Sequence, residues 1–260
     1  MTVIDFTAFI GRLATTSGET ILPFFRTSLS IDNKSSHDFD PVTEADRAAE
    51  AVMRRLIKGN FPQHGIVGEE FGSENEDADY VWVLDPIDGT RSFITAVPLF
   101  VTLIGLLHRG KPVLGAIHQP VLRQLMIGDG KTTTLNGRPV RVRPTTELSK
   151  ATLLTTDPGF PARYQDGTGF ASLAEQSELY RTFGDGYGYL LVASGWADIM
   201  VDPIMNAWDL LPLIPCIEGA GGRITNWQGN SVLEAASNGT LSAVASGPGL
   251  HDTVIRMLNP

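Results

Sequence analysis

The chain has 260 residues, a formal charge of −9, 42% apolar residues and one cysteine. That apolar share excludes a disordered chain, and a lone cysteine excludes a disulfide-stapled or cysteine-rich zinc domain. The acidic balance argues against a nucleic-acid partner, which needs a basic surface, and no apolar run approaches the roughly 20 residues of a membrane helix.

Phe6, Phe9, Ile10, Leu13, Ile21, Leu22 and Phe25 recur at near-helical spacing and predict one amphipathic helix ending near Arg26. The first residues form neither a secretory signal nor an Arg-rich transit peptide, so a soluble, cytoplasmic protein is expected. Residues 32–41 are rich in Ser and Asp and read as a loop or a short hairpin. Thr43 then has N-cap chemistry with Asp46 three residues on. It opens a second helix with Ala48, Val52 and Leu56 on one face.

Short β-type runs follow at 65–67, 80–84, 100–108, 113–119, 126–127, 131–135 and 140–142, with Asn136-Gly137 as a hairpin signal. Pro144, Thr145 and Thr146 interrupt this pattern and suggest two halves, 1–145 and 146–260. The second half alternates. Strands are expected at 151–155, 179–182, 197–201, 223–226 and 241–245, and helices at 170–176, 186–193, 207–220 and 249–258. The whole reads as a mixed α/β (α+β) chain.

The most informative stretch runs from Trp82 through Asp85-Pro-Ile-Asp88-Gly-Thr90. An apolar strand leads straight into two carboxylates. Pro86 cannot continue a ladder, so the strand is expected to end at Asp85 and the chain to turn. Asp88-Gly89-Thr90 then resembles a helix start, whose open amides favour an anion such as phosphate. Two carboxylates at that turn can share a hard cation. A capping Asp88 and a surface Asp85 are the alternative. Glu69 and Glu70 fit either a shared metal or solvated loop ends. Asp209, after Trp208, and Asp46 fit helix caps equally well. From Gly105 to Lys111 the chain narrowly misses a P-loop, because Pro112 stands where Ser or Thr must bind magnesium. Cys216 lies in an apolar helical run and reads as core.

Gly68-Glu69-Glu70, Asp85-Pro-Ile-Asp88-Gly-Thr90 and Trp208-Asp209 with Glu218-Gly-Ala-Gly-Gly222 downstream, in that order, resemble the inositol monophosphatase family over nearly the whole chain. Within it, Arg91-Ser92-Phe93-Ile94-Thr95, Gly184-Asp185-Gly-Tyr187-Gly-Tyr189 and Leu211-Pro-Leu-Ile-Pro215 are most similar to the histidinol-phosphatase branch, although Ala96 stands where that branch often has glycine. The resemblance implies a layered αβαβα sandwich and Mg²⁺-dependent hydrolysis of a small phosphate monoester. Histidinol phosphate is the first expectation, and inositol-1-phosphate or a broad range of sugar phosphates is the alternative.

The resemblance also implies two or three Mg²⁺ ions. Glu69, Asp85 and the carbonyl of Ile87 would hold the first, and Asp85, Asp88 and Asp209 the second; Glu69 would touch a third. Asp46, Glu69 and Thr90 become the catalytic group, with Asp46 and Thr90 orienting the attacking water. Glu70 would support the metal ligands, and the amides of Gly89 and Thr90 would cradle the phosphate. Lys34 matches a family lysine near the metals, or is a solvated surface lysine. On the substrate side, Asp185 and Asp202 are candidates for the leaving group, where a carboxylate suits a cationic amine or a sugar hydroxyl. Arg91 and Arg181 add contacts, join subunits or form plain surface ion pairs. A homodimer is implied as well.

Overall fold

The computed structural model describes residues 5–28, 31–33, 41–235 and 241–260. Phe9, Ile10, Leu13 and Ala14 form the buried stripe of α1 (Phe6–Ile21), which Asp5 caps by accepting the Ala8 amide (3.0 Å). The helix stops before Arg26 because Pro23 cannot donate to the next turn; Leu22–Phe24 tighten into a 3₁₀ turn instead. β1 (Ile31–Asn33) and β2 (Pro41–Thr43) pair antiparallel. Lys34 lies outside the described residues.

Thr43 and Asp46 form a capping box at the start of α2 (Glu44–Asn60). Its buried stripe is Ala45, Asp46, Ala49, Glu50, Met53, Arg54 and Ile57, while Ala48, Val52 and Leu56 are only half-buried on its flank. Apolar spacing pointed to the wrong face because three of the buried positions are charged.

The chain then lays down β3 (Gly65–Gly68), β4 (Gly72–Glu74), β5 (Tyr80–Asp88), a short α3 (Thr90–Ile94), β6 (Val101–His108), β7 (Lys111–Gln119), β8 (Gln124–Gly128), β9 (Thr133–Leu135) and β10 (Arg138–Pro139). These strands form one sheet in the order β10-β9-β8-β7-β6-β5-β3-β4, in which only β3 and β5 run parallel. Asn136 and Gly137 both take positive φ (50° and 74°), as a type I′ hairpin requires. The strand expected at 140–142 does not form. The Val140 amide reaches Thr133 O (2.9 Å), and the Val142 amide is then taken by Ala220 O (3.1 Å) at the end of a helix. Such terminal carbonyls have no partner within their own helix.

The second half contributes β11 (Thr152–Leu154), α4 (Phe160–Tyr164), α5 (Gly167–Gln176), β12 (Leu179–Arg181), α6 (Asp185–Ala193), β13 (Ile199–Met205), α7 (Ala207–Leu210), α8 (Leu213–Gly219), β14 (Arg223–Thr225), α9 (Val232–Ala235), β15 (Leu241–Ser246) and α10 (Pro248–Leu258). Their strands form a second sheet, β12-β11-β13-β15-β14, in which β11 is parallel to both neighbours. The single helix expected at 207–220 is two helices, because Pro212 breaks the backbone ladder between them.

Three apolar clusters stack these parts. Phe9, Leu13, Met53, Trp82 and Ile104 join α1 and α2 to one face of the first sheet. Val101, Leu103, Leu190, Leu213 and Ile217 fill the space between its other face, α6, α8 and the second sheet. Leu153, Phe170, Leu173, Val244 and Val254 seal the outer face of the second sheet under α5 and α10. The layers therefore run αβαβα. Gly128 lets α8 lie directly on the first sheet, since a Cβ there would meet Cys216 Cα at 2.5 Å. Cys216 is core, and burial pushes its thiol up to about 12. No helix among the described residues is long and apolar enough to cross a membrane.

Candidate active site

β5 does not end at Asp85; it runs through Pro86 to Asp88. Asp85 pairs with Leu103 and Asp88 with Val101, so three steps on β5 oppose two on β6. The extra residue makes a β-bulge, which is where a sheet can carry a residue without an N–H. Thr102 Oγ1 donates to the Pro86 carbonyl (2.8 Å) and holds the bulge. In a regular strand, positions three apart face opposite sides. The bulge re-aims them, and the carboxylates of Asp85, Asp88 and Asp209 converge to within 4.8 Å of one another. Asp-Pro-Ile recurs at Asp202-Pro203-Ile204, and the slip recurs with it: Asp202 pairs with Ala243, Met205 with Leu241. The bulged end of β13 then leads into α7, which carries Asp209.

Capping and clustering prove to be joint roles. Asp209 Oδ2 accepts the Asn206 amide (2.8 Å) in a capping box. Asp46 Oδ2 accepts both the amide (2.8 Å) and the hydroxyl (2.6 Å) of Thr43. Asp85 is 2% exposed, and its Oδ1 has no hydrogen-bond partner among the described residues. Burial, then the charges of Glu69, Asp88 and Asp209, hold the Asp85 carboxyl well above the usual carboxylate range. Burial and the charges of Asp185 and Asp209 do the same for Asp88, against a hydrogen bond from the Gly186 amide to its Oδ2. Burial pushes Asp209 up to about 7 and Asp46 up to about 6, with Glu69 adding to both. Glu69 is thus the common neighbour of Asp46, Asp85, Asp88 and Asp209. An all-oxygen donor set with an unpartnered buried oxygen fits a hard divalent cation, which would remove the mutual repulsion.

Glu50 is the residue that the sequence reading missed. Its carboxylate is fully buried and accepts the amides of Glu70 (2.7 Å) and Phe71 (3.2 Å), which fixes the turn after Glu69. Arg54, one helical turn on, donates through Nε to Glu50 Oε1 (2.7 Å), through Nη1 to Glu74 (3.1 Å) and through Nη2 to the Gly72 carbonyl. Its position four residues after Asp46 and four before Arg54 was the available signal.

Gly89 takes φ 87°, and Thr90 Oγ1 donates to the Ile87 carbonyl (3.0 Å). A Cβ on Gly89 would lie 2.9 Å from Asp185 Oδ2, so the Asp185 carboxylate sits directly over this turn. Burial pushes Asp185 up to about 6, and Arg91 opposes that shift. Arg91 is exposed, 3.8 Å from Asp157 and over the Phe160 ring (6.0 Å). Asp202 is 4% exposed and accepts hydrogen bonds from the Thr156 amide (3.1 Å) and the Tyr189 hydroxyl (3.0 Å). Arg181 stands exposed on the edge strand β12, where it donates to the Tyr180 carbonyl (2.9 Å).

The model of the inositol monophosphatase family matches residues 4–259. The chain is 44% identical to the bifunctional phosphatase IMPL2 of Arabidopsis thaliana, over 94% of this chain and 70% of that one. It is 40% identical to a histidinol-phosphatase of Chlorobaculum parvum, over 85% and 86%. A solved inositol monophosphatase from Zymomonas mobilis superposes with a TM-score of 0.84 at 35% identity, covering 96% of each chain. The chain belongs to the inositol monophosphatase family.

Proposed function

We propose that this protein is a Mg²⁺-dependent phosphomonoesterase whose preferred substrate is histidinol phosphate, released as histidinol and inorganic phosphate. The observation that carries the metal-dependent part is the convergence of Asp85, Asp88 and Asp209, together with a buried Asp85 oxygen that has no hydrogen-bond partner among the described residues. Glu69, Asp85, Asp88, Asp209 and the Ile87 carbonyl would hold two or three ions. Bound there, Mg²⁺ would supply acidification of a water and neutralisation of charge on the attacking and leaving oxygens. Asp46 and Thr90 orient that water, Glu70 supports the metal ligands, and the amides of Gly89 and Thr90 receive the phosphate. Asp185, over Gly89 and beside Arg91, meets the ammonium group of the leaving alcohol.

The likeness to the Chlorobaculum parvum histidinol-phosphatase and the carboxylate over the phosphate turn support this substrate. The full-length likeness to the Zymomonas mobilis inositol monophosphatase supports a second reading, with inositol-1-phosphate or sugar phosphates as substrates. Phosphate release measured side by side on histidinol phosphate, inositol-1-phosphate and fructose-1,6-bisphosphate separates the two; a higher kcat/KM on inositol-1-phosphate overturns the first. A cytoplasmic homodimer belongs to the same proposal, and sedimentation of the purified protein tests its assembly.

A further inference from the structure

Asp185 is held in an uncommon place. It is a non-glycine residue with φ 52°, in the left-handed region, at the first position of α6. Its own amide donates to Thr156 Oγ1 (2.8 Å), and the next amide, of Gly186, donates to Asp88 Oδ2. Glycines on either side allow this fit: a Cβ on Gly184 would run into the Thr156 backbone, and one on Gly186 would lie 2.6 Å from Asp88 Oδ2.

Thr156 is in turn held by Asp202. The Thr156 amide donates to Asp202 Oδ1 (3.1 Å), and its hydroxyl accepts the Asp185 amide. Tyr189, itself fully buried on α6, donates its hydroxyl to Asp202 Oδ2 (3.0 Å). Both carboxylate oxygens of Asp202 are therefore engaged inside the protein. The chain of contacts runs Tyr189, Asp202, Thr156, Asp185, and it ends on the carboxylate that sits over Gly89.

We propose that Asp202 is a positioning residue that acts through Thr156, with Tyr189 as its second anchor, to hold Asp185 over the phosphate turn and so set selectivity for a leaving group bearing a cationic amine. This rests on Asp185 being the leaving-group carboxylate, and it replaces the direct substrate contact expected of Asp202. Asp202 and Tyr189 fix where the Asp185 charge stands; Asp185 alone meets the ligand. A hydrogen-bonded network anchored on the buried Asp202 and Tyr189 suits this task, because it limits the arrangements of its members.

The test uses the Mg²⁺-loaded enzyme with histidinol phosphate and with p-nitrophenyl phosphate, whose leaving group has no amine. Asp202→Asn and Tyr189→Phe are each expected to raise KM for histidinol phosphate about tenfold, with a smaller change in kcat and in KM for the aryl ester. In an Asp185→Ala background, Asp202→Asn is expected to add nothing further, because its effect passes through Asp185. Equal changes on both substrates, or full additivity with Asp185→Ala, overturn the proposal. Tyr189→Phe removes only a hydroxyl and keeps the test alive if Asp202→Asn folds poorly.

Hydrogen exchange of the 184–188 amides reads the positioning without any substrate. Faster exchange at Asp185 in Tyr189→Phe supports the network, and unchanged exchange overturns it. A wild-type enzyme that handles the two esters alike overturns the substrate reading, and the exchange result then decides the positioning claim on its own.

Discussion

Asp85 and Asp88 stand three residues apart on one strand, yet their carboxylates face each other and Asp209 within 4.8 Å. The bulge opposite Leu103 and Val101 is what turns them to one side. Three carboxylates so placed repel one another, and in the proposed function each contributes to a single cation-binding unit. Asp85→Asn and Asp209→Asn are each expected to lower phosphate release by at least about a hundredfold, the scale of losing one electrostatic contact at a reacting centre. Both variants are expected to keep the native circular dichroism spectrum, because the substitution removes charge and not shape. Near-normal turnover in either would contradict the shared-metal assignment.

Burial of the site carboxylates, with repulsion between some of them added, predicts how stability depends on pH. Folding raises Asp46 and Asp185 from 3.8 to about 6, and Asp202 and Asp209 from 3.8 to about 7. Between those values the folded protein holds protons that the unfolded chain has lost. The stability these groups contribute is complete below the unfolded value and is lost as pH rises through the folded ones. Metal-free protein is therefore expected to melt lower at about pH 8 than at about pH 5. Mg²⁺ binds the ionised carboxylates, so its stabilising effect is expected to grow over the same range. Scanning calorimetry with chelator and with Mg²⁺ at both pH values checks this. A chelated protein that gains stability as the pH rises would contradict it.

Glu50 offers a third test. It touches the Glu69–Glu70 turn through backbone amides, so it acts on the position of Glu69 and not on a substrate. Glu50→Gln is expected to weaken Mg²⁺ binding by about 10- to 100-fold, the usual cost of losing a group that orients a metal ligand. It also removes the negative charge facing Arg54, which keeps Glu74 and the Gly72 carbonyl, so the stability cost is expected to fall below the roughly 3–5 kcal/mol of an unpaired buried charge. Titration calorimetry of Mg²⁺ binding and urea denaturation separate the two effects. Unchanged Mg²⁺ affinity in a folded variant would show that Glu50 only supports the fold.

Much of the site was legible in the sequence because its parts are local. Thr43 and Asp46 form their capping box three residues apart, Asn136-Gly137 makes its hairpin, and Asp85, Asp88 and Asp209 each follow an apolar or aromatic residue. The rest depends on long-range pairing. Pro86 read as a strand end because a proline cannot donate to a ladder, yet pairing with β6 absorbs it as a bulge. The face of α2 was misplaced because Asp46, Glu50 and Arg54 are buried for the sake of the site, which hides the apolar stripe. The hydrogen bonds that Asp202 accepts from Tyr189 and the Thr156 amide are likewise contacts that no local spacing shows.

The most direct measurement strips divalent cations from the wild-type protein with a chelator and follows phosphate release from histidinol phosphate as Mg²⁺ is returned. Turnover is expected to vanish in chelator and to recover fully on Mg²⁺ addition. Turnover that persists in chelator, or none on any phosphate monoester with Mg²⁺ restored, would contradict a metal-dependent phosphomonoesterase built on Asp85, Asp88 and Asp209.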